Sequence, residues 1–127
     1  MNETVIAVGN GGYNLSTDLI AAGLFTDAQL IVCDTNQKDL EKNSANVTET
    51  FILEKLSSKV KSGDTPLVEA IVAKASDAVI VCATLGGMTG SKYAPLIALE
   101  AILKGKFVCS FFSMPYEFEG EQKTKRA

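Results

Sequence analysis

Five short runs of apolar and β-branched residues punctuate this chain, and they leave it few folds to choose from. The runs are Val5–Val8, Gln29–Cys33, Thr50–Leu53, Asp77–Ala83 and Phe107–Phe112, each ending in a glycine-rich or polar stretch. They are continuous rather than alternating, so each strand is expected to bury both faces, which is the habit of parallel sheets covered by helices on either side. The segments between them carry helical signals. Leu15, Leu19, Ile20 and Leu24 recur at helical spacing from Asn14 to Leu24, with Gly23 as the stop. A short helix is predicted over Gln37–Lys42, another opening at Thr65–Pro66, and a last one from about Ser91 to Lys104. Residues 54–65 read as an irregular connection.

Strand and helix alternate throughout the 127 residues with no linker or repeat, so one α/β domain over 1–127 is expected. Right-handed crossovers restrict the topology; with the fourth strand beside the first, a three-layer sandwich is expected, a Rossmann-like parallel sheet of about five strands in the order 3-2-1-4-5. In that order the winding reverses between strands 1 and 4. Ligands of such sheets bind beyond the carboxyl ends of the strands at that reversal.

Composition removes several alternatives. Fifteen acids against twelve bases leave a net charge of −3, which argues against a nucleic-acid partner. No apolar stretch reaches the ~20 residues of a membrane span, so no membrane partner is expected. Without histidine, a serine or cysteine nucleophile with a histidine base is excluded. Cys33, Cys82 and Cys109 are odd in number, widely spaced and each inside a strand, so they read as buried free thiols in a cytoplasmic protein rather than as a metal site or disulfide set.

The residues following strands 1 and 4 carry the functional signal. Gly9–Asn10–Gly11–Gly12 and Leu85–Gly86–Gly87–Met88–Thr89–Gly90 both stand between a strand and a helix. Phosphate is held by clustered backbone N–H groups at a helix amino end, and glycines let it approach. Thr89 and Ser91 add hydroxyl donors. The second loop lacks the order of a P-loop. The first starts like a dinucleotide fingerprint, but Asn14 stands where its third glycine belongs; Asp34, ending strand 2, sits where a ribose-binding acid would. A mononucleotide site and an NAD-type dinucleotide module are both compatible with these residues.

Gly86–Gly87–Met88–Thr89–Gly90–Ser91 resembles the tubulin signature G-G-G-T-G-[ST]-G, and Ala94–Pro95 matches the A-P that follows it in FtsZ. Val8–Gly9–Asn10–Gly11–Gly12–Tyr13–Asn14 resembles the family's V-G-G-G-G-G-N loop. Asp34–Thr35–Asn36–Gln37 lies where FtsZ has N-T-D-A, and Met114–Pro115–Tyr116–Glu117–Phe118–Glu119–Gly120 is similar to K-P-F-S-F-E-G. Four motifs in order identify the chain as a relative of the FtsZ/tubulin GTP-binding domain.

The resemblance implies GTP or GDP as ligand, with Mg2+ as a companion ion. It implies a nucleotide site drawn from Gly9, Asn10, Gly11, Gly12, Asn14, Asp34, Asn36, Gly86, Gly87, Met88, Thr89, Gly90 and Ser91, with Pro115, Phe118 and Glu119 on the ribose side. The sequence ends before the family's guanine-binding asparagine, central helix and catalytic acidic loop, and Met88, Lys92 and Asn36 depart from the family pattern. Weak or absent hydrolysis by this chain is therefore expected, with no catalytic residue and no metal ligand assigned. A ligand-free assembly protein is the remaining alternative. Phe107–Phe112 would lie at an uncovered sheet edge, so a homodimer or higher homo-oligomer joined there is expected, with a tail from Met114 to Ala127 folded back over the edge as the alternative.

Overall fold

A computed structural model of the chain describes residues 3–43, 47–53, 65–84 and 88–113, with the side chains of 65, 66 and 88–91 outside that description. The elements alternate as β1 (Glu3–Val8), α1 (Gly9–Ala21), β2 (Gln29–Asp34), α2 (Gln37–Lys42), β3 (Glu49–Ile52), α3 (Thr65–Ala73), β4 (Ala78–Thr84), α4 (Met88–Leu103) and β5 (Phe107–Ser113). The five strands form one sheet in the order β3-β2-β1-β4-β5, every pair parallel. The expected topology and α/β class are both observed.

Alternation along each strand separates two cores. Ile6, Val8, Ile31, Cys33, Val79 and Val81 join Val68, Ile71, Val72, Tyr93, Ala94 and Ile97, so α3 and α4 cover one face. Val5, Ala7, Leu30, Val32, Ile80 and Cys82 gather with Leu40, and with the half-buried Tyr13, Leu15 and Leu19, so α1 and α2 cover the other. The central strands β1 and β4 are thus buried on both sides, which is why they read as unbroken apolar runs. At the amino end of the sheet the wholly buried Thr4 hydroxyl accepts the Ser76 N–H at 2.9 Å and lies 3.1 Å from Gln29 Oε1, tying three elements together.

Helix boundaries differ from the sequence expectation at both ends. α1 starts at Gly9 rather than Asn14, and α4 at Met88 rather than Ser91. Glycine is a poor helix former, so propensity argued for loops; in α1 the close seat of Gly11 and Gly12 on β4 overrides it. α1 stops at Ala21 because Gly23 takes a φ of 95°, and Gly23 and Leu24 donate to the carbonyls of Ile20 (2.9 Å) and Leu19 (3.0 Å). This is a Schellman motif. Gly105, at a φ of 79°, closes α4 in the same way through the Ile102 and Ala101 carbonyls.

β5 is an edge strand with Phe107 73% exposed and Phe112 42% exposed, and α4 beside it exposes Leu99, Ile102 and Leu103. The apolar residues of α4 do go round the helix, as its sequence implies. One expectation is corrected. Cys33 and Cys82 are buried, but Cys109 is exposed because its strand has no neighbour beyond it among the described residues. Phe111 is held differently, half-buried on the α1 side with its ring edge-on to Phe25 at 5.9 Å.

Candidate functional site

At the carboxyl end of β1 the chain turns straight into a helix. Gly9 makes the turn with a φ of 80°, a conformation that costs other residues one or more kcal/mol, roughly. The residue at the cap position is Val8, which has no side-chain oxygen, and the first turn of α1 carries no acid. The first-turn N–H groups therefore have neither a capping side chain nor a neighbouring carboxylate within their own helix. An uncapped helix amino end presents several N–H donors and about half a positive charge, the elements of an anion site.

α4 starts in the corresponding place after β4, the strand paired to β1 through Val8 and Ala83. α1 and α4 lie on opposite faces of the sheet, so their amino ends flank the point where the strand order reverses. Gly9, Asn10, Gly11 and Gly12 are brought together there in the first turn of α1, with the backbone of Met88, Thr89, Gly90 and Ser91 in the first turn of α4. Gly86 and Gly87 lie outside the described residues, as do Pro115, Phe118 and Glu119.

Two of the glycines answer to the sheet before any ligand. A methyl group on Gly12 would strike the Cys82 carbonyl oxygen and stand 3.1 Å from its carbon and 3.3 Å from the Ala83 Cα. One on Gly11 would fall on the Thr84 hydroxyl, 2.6 Å from the Thr84 Cβ. These glycines let α1 seat against β4, and the seat places the helix end beside that of β4. Thr84 in turn shares a 3.0 Å hydrogen bond with Ser113 on β5.

Polar side chains surround the α1 end. Asn10 is half-buried, and its Oδ1 accepts from the Nδ2 of Asn43 at 2.9 Å. Asn43 is 4% exposed and follows α2, so it fixes Asn10 from a distant part of the chain. Asn36 caps α2, its Oδ1 accepting the N–H groups of Lys38 (2.9 Å) and Asp39 (3.1 Å), which occupies the oxygen that the sequence assigned to ligand. Asp34 is 4% exposed; its Oδ1 accepts the Asn36 N–H at 3.0 Å, and its Oδ2 is buried without a hydrogen-bond partner. Burial raises the Asp34 pKa above the usual carboxylate value, Asp39 adds to the rise, and the N–H groups of Asn36 and Thr35 oppose it. Asn14 is exposed on the second turn of α1, and Tyr13 packs against the α1-side core. Lys92 is half-buried in α4.

Asn43, Thr84 and Ser113 were missed by the sequence reading. Each acts through a partner at least 29 residues away, a separation that leaves no local pattern. Among the described residues no three His, Cys, Asp or Glu side chains gather as metal ligands. Nor does any helix among them have the length and apolarity to cross a membrane.

No family model matches the chain. Individual relatives do. It is 34% identical to the cell division protein FtsZ of Mycoplasmopsis pulmonis across 99% of its own length, 31% identical to that of Helicobacter pylori across 97%, and 30% identical to that of Bartonella bacilliformis across 98%. The chain spans 34%, 34% and 22% of those proteins, about a third of the first two and less of the last. These identities, which run over nearly the whole chain, make it an FtsZ-like domain, spanning about a third or less of the length of an FtsZ protein.

Proposed function

We propose that this chain binds GTP or GDP through its phosphates, at the adjoining amino ends of α1 and α4, and hydrolyses GTP slowly or not at all on its own. The observation that carries the reading is the uncapped, acid-free first turn of α1 at the strand-order reversal, beside the first turn of α4. The relatives named as cell division proteins support guanine nucleotide as the ligand through their family, and cell division as the setting. Gly9 and Gly12 shape the α1 turn. Asn10, fixed by Asn43, borders it. The first turn of α4 supplies the second set of N–H groups, with Gly86 and Gly87 leading into it. Such donors would orient the phosphates and neutralise part of their charge.

In the same reading the chain acts as one unit in the cytoplasm and self-associates through the β5 edge, which is uncharged and carries exposed phenylalanines. A dinucleotide reading is favoured by one observation, the buried acid at the end of β2.

Calorimetric titration with GDP, GTP, ATP and NAD separates the two. Binding of the guanine nucleotides without NAD is the expected result, and a preference for NAD reverses it. Phosphate release from GTP should stay at background as protein concentration rises; release that increases with concentration refutes the hydrolysis part.

A further inference from the structure

The buried Asp34 carboxylate is unexplained by its own surroundings. In the β1–β2 register Cys33 stands opposite Val8, so Asp34 lies beside Gly9, the first residue of α1, about one strand spacing (~4.8 Å) away. Cys33 packs on the α3–α4 side and Val32 on the α1–α2 side, so alternation puts the Asp34 side chain on the face covered by α1. One of its oxygens is satisfied by the Asn36 N–H; the other is buried and has no partner. A carboxylate of this kind, next to an uncapped helix amino end, already supplies the negative charge that such an end attracts.

We infer that Asp34 opposes phosphate binding at the α1 turn and so sets the charge selectivity of the site, disfavouring GTP relative to GDP. The inference rests on the phosphate site proposed above. A phosphate held by the first-turn N–H groups would lie within several ångströms of Asp34. At that range a unit charge weakens binding on the order of tenfold or more for each added ligand charge. Of the charges on α2, Lys38, Glu41 and Lys42 are exposed, and the one that acts on Asp34 is the like charge of Asp39. β2 brings the neutral Cys33 thiol, β3 has its Glu49 at the opposite end beside Ile31, and the first turn of α1 holds no charged residue.

The test compares wild type with Asp34→Asn, which keeps the Oδ1 acceptor for Asn36, and with Asp39→Asn, which removes an equal charge from the half-buried Asp39 on α2. Pyrophosphate, GDP and GTP are titrated calorimetrically in EDTA between pH 5 and 8. The expected result is about tenfold or greater tightening in Asp34→Asn at pH 8, larger for GTP than for GDP, with less than threefold change in Asp39→Asn. The gain should be lost where pH falls far enough to protonate wild-type Asp34, whose pKa burial raises. The nucleotides' own protonation cancels between variants. A second measurement needs no variant: the carboxyl 13C resonance of Asp34 must titrate at higher pH with pyrophosphate bound than without. Equal affinities and an unmoved titration overturn the role of Asp34 alone. No binding of any of the three ligands by any form overturns the phosphate site as well.

Discussion

Gly12→Ala tests the seat of α1 directly. The added methyl group would meet three atoms, the carbonyl oxygen and carbon of Cys82 and the Cα of Ala83, with the latter two at 3.1 and 3.3 Å. All are backbone atoms of β4, which is paired on both sides and cannot give way. The helix must therefore lift, loosening Tyr13, Leu15 and Leu19 from the α1-side core. Overpacking of this kind costs about 1–3 kcal/mol, from which roughly 0.5–1 kcal/mol is recovered because alanine is the better helix former. A net loss of about 1–2 kcal/mol is expected. Gly11→Ala meets a side chain instead, so its cost should be relieved by Thr84→Gly, whereas that second change should give Gly12→Ala no relief. Urea unfolding of the three single and two double variants reads this as two double-mutant cycles, with m unchanged. A Gly12→Ala protein as stable as wild type would refute the close approach of α1 to β4, and with it the placement of the phosphate site.

Three further outcomes are expected. Gly90→Val, at the start of α4, should abolish GDP binding while the protein stays folded by circular dichroism; retained affinity removes the α4 end from the site. Asp34 has its pKa raised in the fold, so the folded state holds that proton more tightly, and the penalty of ionising it appears as pH rises from the unfolded value through the folded one. Asp34→Asn should therefore stabilise the protein at pH 7 and not at pH 3, measured by the urea midpoint at both; equal shifts at the two values contradict the burial. Cys109 should react with a thiol reagent in the native protein, while Cys33 and Cys82, both with thiol pKa values raised by burial and the latter to about 12, should react only after unfolding. If β5 joins two copies, Cys109 labelling slows with protein concentration, and Phe107→Lys restores it; a monomer by light scattering at every concentration removes the dimer. Phe111 is unsuited to that experiment, because its ring contact with Phe25 would be lost.

The local sequence determined the type and order of the elements among the described residues, though not where α1 and α4 begin, and, through the absence of alternation in Val5–Val8 and Ala78–Ala83, the parallel sheet with helices on both faces. Right-handed crossovers restricted the topology, and a fourth strand beside the first gives the order 3-2-1-4-5, which sets both glycine-rich stretches after the strands at one reversal point. These are properties of neighbouring residues and of chain chirality, so a linear reading reaches them. Tertiary structure decided what the polar residues do there. It assigned Gly11 and Gly12 to the seat on β4, gave the Asn36 oxygen to the α2 cap, and paired Asn10 with Asn43 across 33 positions. It also left one oxygen of Asp34 buried and unpaired. Whether a carboxylate lies at a surface or beside a helix end depends on atoms brought together from distant parts of the chain, and the cost of burying it exists only once they meet.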